Sequence, residues 1–465
     1  MKTKPNSTLR LLHTARAALL ALALTAAWHT PAHGQIIQQW LTQWGSSSYD
    51  YANGVAVDAA GTTWVTGQTG GSLGGTSMGG WDIFLTPLSA TGVRGTSVQR
   101  GGTADDIAFG AAVVGGNTVF AVGQTISLTT WDGAPALGSY DAVAVRYSTA
   151  GAWLGTTRMG SSLDDYAYAA AGNATHLLIV GSGQGTIDGQ AQIGAGDARI
   201  SKRDSTGALV WTRVVGSSNP DAGLGAAFDS AGNAYMAGDT YGSLPTFTNA
   251  GGHDLFVTRF DASGNRTLLK QWGTSADDYA TDVEVDVSGN IYVTGYTQGA
   301  LAGEANHGNY DAFLTKLNSS GNVLWTRLLG GTGLDTATGL ALDAAGRVWV
   351  GGYSNSLTMA GHTNANPNSG TYDAFVMSYN SAGTLLGTAF WGTTGDDYIT
   401  GLAAAPDGGV RVTGYTDGTL GAANFGGYDP FAISLTMAPE PTSAALLLGG
   451  GALLALRRRR NPAGV

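Results

Sequence analysis

Three residue markers recur in step along this chain, seven times each, and no other feature constrains its fold as strongly. An Asp stands just before an alternating segment at Asp50, Asp106, Asp165, Asp221, Asp278, Asp335 and Asp397. A Gly closes a "VTG"-like segment at Gly67, Gly123, Gly181, Gly238, Gly295, Gly352 and Gly414. A second Asp opens a third segment at Asp82, Asp141, Asp197, Asp254, Asp311, Asp373 and Asp429. Successive markers lie 56 to 62 residues apart. Each unit reads as four strands, as in "DVEV", "IYVTGYT", "DAFLTKL" and "VLWTRLLG", with tight turns such as "DVSGN" and "NSSGN" between them. Helical periodicity is absent between the two chain ends. Four antiparallel strands about 57 residues apart describe a propeller blade better than a solenoid coil. The expectation is therefore all-β, a seven-bladed β-propeller over residues 35–438.

The ends of the array predict how the ring closes. The seventh unit stops after its third strand, at "DPFAISLTM". An unmatched fourth-type strand, "IIQQWLTQWG", lies at the other end and matches "LLKQWG" of Leu268 to Gly273. The N-terminal strand should complete the last blade and cover sheet edges that would otherwise stay open.

Composition agrees with short strands and tight turns. Gly accounts for 73 of 465 residues and charged residues for only 12%. There are no cysteines, which excludes thiol chemistry and Cys-based metal sites. Residues 1–34 read as a signal peptide: Lys2, Lys4, Arg10 and Arg16, an apolar run from Ala17 to Trp28, and the small-x-small site Ala32-His33-Gly34. A membrane anchor is the alternative, but the run is short for a span. From Gln35 to Ala438, 15 basic residues face 32 acidic ones, a net charge of −17. That surface disfavours nucleic acid and anionic lipid, and attracts divalent cations.

The units "DAAGTTWVTGQT", "DVSGNIYVTGYT" and "YDAFLTKLNSSGNVLW" resemble the SBBP seven-bladed propeller repeats, and more distantly NHL repeats. That resemblance covers about 400 residues and implies fold rather than ligand. Residues 439–465 carry Pro439, Glu440 and Pro441, an apolar stretch from Thr442 to Leu456, then Arg457 to Arg460. This order resembles the PEP-CTERM sorting signal. It implies export through the inner membrane, transient anchoring by the tail, removal of the tail by an exosortase-type membrane protease, and a cell-surface or extracellular location afterwards. A plain C-terminal anchor is the alternative.

Strand parity places both Asp series at one end of the blades, with Asp105, Asp164, Asp277 and Asp396 beside them. Two roles are open: structural calcium between blades, or caps for loop amides. Trp44, Trp153, Trp211, Trp272, Trp325 and Trp391 of the fourth strands suit packing between blades better than sugar stacking. His176, His253, His307 and His362 lie in different units without metal-ligand spacing. No nucleophile elbow or phosphate loop occurs, so no catalytic or metal residue is assigned. The expected function is a non-catalytic surface or extracellular-matrix module for exopolysaccharide or surface proteins. The alternative is a polysaccharide hydrolase or lyase using paired Asp on the loop face. Binding candidates are Trp81, Trp131 and His362, all in loops between second and third strands.

Overall fold

The computed structural model describes residues 34–126, 133–360, 362–363 and 372–438. Trp131 and the Pro439-Glu440-Pro441 triplet lie outside them, and of His362 only the backbone is described. Among the described residues, seven four-stranded antiparallel sheets follow one another around a ring, as the repeat predicts. Blade 1 runs Asp50–Val57, Thr63–Thr69, Asp82–Leu88 and Val98–Arg100 from inside outward. In blade 7, Asp397–Ala404, Val410–Thr416 and Asp429–Met437 are joined by Ile36–Gln43 as the outer strand. This pairing is antiparallel, from Ile36 with Met437 to Gln43 with Phe431, so the N-terminal strand closes the ring.

The first strands of successive blades contact one another and enclose the channel. Each carries a bulge after its third residue, as between Ala52 and Gly54 or Ala280 and Asp282. The marker Gly of the second strand sits opposite. A Cβ at Gly67 would lie 1.7 Å from the Tyr51 carbonyl oxygen, and at Gly295 1.9 Å from that of Tyr279. Close backbone approach therefore demands Gly here. The bulged residue turns to the next blade. Asn53 donates to the Ala108 carbonyl at 2.7 Å, Thr281 to Ala337 at 2.8 Å and Thr400 to Ala52 at 2.8 Å.

Apolar clusters fill the spaces between neighbouring blades, each drawing on both sheets, as where Tyr235 and Val257 meet Val283 and Phe313. Outer-strand tryptophans stitch the rim. Trp40 donates to the Ala90 carbonyl at 2.9 Å, Trp211 to Ala262 at 3.1 Å and Trp325 to Ser381 at 3.4 Å, each in the following blade. Trp44 is fully buried, while Trp153 is 38% exposed with Arg100 stacked 4.6 Å from its ring. Packing is thus the role of most of this series.

Candidate functional site: the loop face

The two Asp series do meet at one end of each blade. Asp50 pairs across to Thr69, and Thr69 to Asp82. All fourteen carboxylates are buried, so they form no surface ring. Each first-strand Asp accepts the backbone N–H four residues before it, at 2.5–2.7 Å, as Asp106 does from Gly102 and Asp397 from Thr393. Six third-strand Asp residues do the same at 2.7–3.0 Å, as Asp82 does from Met78 and Asp429 from Phe425. They cap the loops that enter the strands. Blade 3 varies the arrangement: Gly183 replaces the usual Thr or Ser, and Arg199 reaches Asp165 at 2.6 Å instead. Among the described residues, no group of three or more His, Asp or Glu side chains is arranged to hold a metal ion.

Burial pushes the carboxyls of Asp221 and Asp397 up to about 6. The channel holds a second pair, Asp282 and Glu284, at positions where the other six first strands have only Gly or Ala. Their side chains keep some surface open to the channel, yet its walls surround them, so their environment is that of the interior. Burial raises Asp282 to about 7, and burial with repulsion from Asp282 raises Glu284 to about 8. An acid with a raised folded pKa keeps its proton after the unfolded chain has released its own. Stability therefore falls as pH climbs from the unfolded values to these folded ones. The melting temperature should drop by several degrees between pH 5 and pH 8. The D282N/E284Q variant should flatten the part above pH 6. A melting temperature that rises toward pH 8 would contradict the assignment.

Above the caps, aromatic side chains surround the loop end of the channel. They come from up to three places in a blade: the second residue of the first strand, the residue after the marker Gly of the second, and the residue before the third. Blade 7 contributes Tyr398, Tyr415 and Tyr428, and blade 5 contributes Tyr279, Tyr296 and Tyr310. Blade 6 adds Tyr353 and Tyr372, and blade 1 adds Tyr51 and Trp81. Rings touch within and between blades: Tyr51 with Tyr415 at 4.9 Å, Tyr353 with Tyr398 at 4.8 Å, Tyr279 with Tyr296 at 4.9 Å. Trp81 joins this chain through Tyr51 at 5.4 Å. All are half-buried, packed edge to face or tilted against one another with part of each ring open.

Acidic residues hold the rings in place. Asp105 accepts the backbone N–H of Trp81 at 3.1 Å, Asp277 that of His253 at 3.0 Å, and Asp396 that of Tyr372 at 3.0 Å. The Tyr398 and Tyr428 hydroxyls both donate to Asp396 at 3.3 Å. Burial, then neighbouring carboxylates, push the Tyr166 and Tyr279 phenols up to about 12. They stay protonated, able to donate and accept hydrogen bonds. His253 lies between Tyr241 and Tyr279, and its Nδ1 is 2.7 Å from Asp239. That hydrogen bond raises its pKa above the ordinary histidine value.

The unit-six loop, the longest between markers, contains a short antiparallel pair. Thr358–Met359 pairs with His362–Thr363, and Met359 is buried in the core. The tyrosines were missed by sequence reasoning, though a signal existed: they flank the markers in "DDYA", "NYDA", "GYDP" and "TGYT".

Two curated relatives are similar to part of this chain. Regulatory protein FlaEY of Caulobacter vibrioides is 27% identical over 267 residues, 51% of this chain and 28% of that protein. The uncharacterized WD repeat-containing protein L264 of Acanthamoeba polyphaga mimivirus is 23% identical over 260 residues, 45% of this chain and 19% of that protein. The chain thus spans less than a third of the length of either. Among solved structures, the beta-propeller domain of the Trilobed protease from Pyrococcus furiosus aligns with a TM-score of 0.42 at 7% identity, covering 85% of this chain and 97% of that one. Residues 269–301 and 324–357 match the family described as SBBP, beta-propeller repeat. Both segments run from the outer strand of one blade into the first two strands of the next, and they identify these stretches as SBBP-type repeats.

Proposed function

We propose that this propeller is a non-catalytic binding module of the cell surface or extracellular matrix, with the loop face as its binding surface for exopolysaccharide. The aromatic ring around the channel mouth carries the proposal. Sugars lay their C–H faces on such rings, while tyrosine hydroxyls and nearby carboxylates meet their hydroxyl groups. Rings held by packing and by acidic caps lose little freedom on binding. The N-terminal segment and the Pro439-Glu440-Pro441 tail support export, with an exosortase-type protease as processing partner and the tail as a transient membrane anchor. The net charge of −17 argues against nucleic acid as a ligand. The two repeated Asp series are buried and offer no open carboxylate pair to a polysaccharide hydrolase or lyase.

Replacing Tyr51, Tyr398 and Tyr428 together with Ala should weaken binding to the native matrix polysaccharide about 100-fold, at about 1 kcal/mol per ring. Microarray or calorimetric binding, with melting curves to confirm folding, makes the measurement. Unchanged affinity in a folded triple variant would exclude the loop face as the binding surface.

A further inference from the structure

The aromatic ring is broken where blade 3 meets blade 4. At the three ring-bearing positions this junction has Ser182, Gly196 and Ala222. The missing side chains leave a cavity of about 280 Å³. Tyr166 of blade 3 and His253 of blade 4 line it, together with Asp164 and Asp239.

Two observations set this cavity apart from the rest of the face. Asp239 is only 6% exposed and stands where the other second strands carry Gln, Ser or Tyr. One of its oxygens meets His253 Nδ1 at 2.7 Å, and the other has no hydrogen-bond partner. Asp164 is the second. Its counterparts Asp105, Asp277 and Asp396 each accept the N–H of the residue before a third strand. The Asp164 carboxylate accepts no such bond and lies free against the cavity. The nearby Arg199 is committed to Asp165 at 2.6 Å, so His253 is the only basic side chain lining the space.

An uncommitted carboxylate, a half-committed buried one and a phenol ring suit a compact cation bearing several N–H donors. We propose that the notch between blades 3 and 4 binds the protonated primary amine of an amino sugar, donating to Asp164 and Asp239 beside the Tyr166 ring. This rests on the polysaccharide reading of the loop face and names the sugar unit the face selects.

Calorimetry at pH 7 with D-glucosamine, N-acetylglucosamine and ethylammonium tests it on the full propeller. Glucosamine should bind. N-acetylglucosamine, whose amide carries no charge, should bind at least about tenfold more weakly. Asp164→Asn and Asp239→Asn should each weaken glucosamine about tenfold, with the melting temperature near that of the parent for Asp164→Asn, whose carboxylate holds no structural bond. Equal affinity for glucosamine and its N-acetyl form, or no effect of Asp164→Asn, would overturn the proposal. Ethylammonium binding as tightly as glucosamine would overturn the sugar assignment. Loss of glucosamine binding with neutral polysaccharide binding retained would sink the notch alone. The Tyr51, Tyr398 and Tyr428 variant, on the far side of the ring, tests the polysaccharide reading separately.

Discussion

A chain lacking Gln35 to Gly45 should fail to give a cooperatively folded propeller. The deletion removes the outer strand of blade 7 and exposes the edge of Asp429–Met437. It also removes Trp44, which is 2% exposed in the core beside Ala52, Val65 and Phe84. Emptying a site of that size costs about 3–5 kcal/mol. Gln43 goes too. Its amide donates to the Gly418 carbonyl at 3.0 Å and to Asp429 at 3.1 Å, while its oxygen accepts from Leu420 at 2.9 Å and Gly421 at 3.0 Å. Those losses add to a strand's worth of ladder bonds and exceed much of the roughly 5–15 kcal/mol that holds a domain folded. Circular dichroism and thermal melting report the outcome. A truncated chain that melts like the parent would mean that closure contributes nothing.

The second large effect concerns a single cap. In blade 6, Asp335 accepts the Gly331 N–H at 2.7 Å and the Ser356 hydroxyl at 2.9 Å on one oxygen, and the Ser354 hydroxyl on the other. It is fully buried, and burial raises its pKa. Asp335→Ala strands three donors in the interior and should destabilise by about 3 kcal/mol. Asp335→Asn keeps one acceptor oxygen and should lose roughly half as much. Urea titration of both variants distinguishes them. If Asp335→Ala and Asp335→Asn cost the same small amount, the carboxylates do not hold the loops.

The propeller was legible because repetition multiplies weak signals. One Asp before an alternating strand says little, whereas seven in step with seven Gly and seven further Asp leave few topologies. Parity also placed both Asp series at the same end of the blades. What it could not give was depth. The same strand order fits carboxylates lining a surface or turned under the loops, and loop amides seeking acceptors decide between them. The binding face was harder still. Trp81 drew notice as a rare residue in a variable loop, yet the tyrosines around it sit at repeated positions and look like framework. Tyr51 and Tyr415 are 364 residues apart in the chain and meet edge to face only because the ring closes. The gap at Ser182, Gly196 and Ala222 is likewise an absence spread over two blades.

The seam in blade 7 imposes an order on assembly. The segment Ile36–Gln43 is synthesised before the blades, but its partner Asp429–Met437 emerges after every other blade. The early strand must wait unpaired while six sheets form from neighbouring segments. Bringing such distant ends together costs only roughly 2 kcal/mol more than joining strands one blade apart. The penalty falls instead on time. Closure is the least local contact in the fold and should set the slowest folding phase. Until it occurs, one hydrogen-bonding edge stays open to any other strand, including the same segment of another copy. A chain arrested before residue 429 would keep its first strand in search of a partner that has not yet been made.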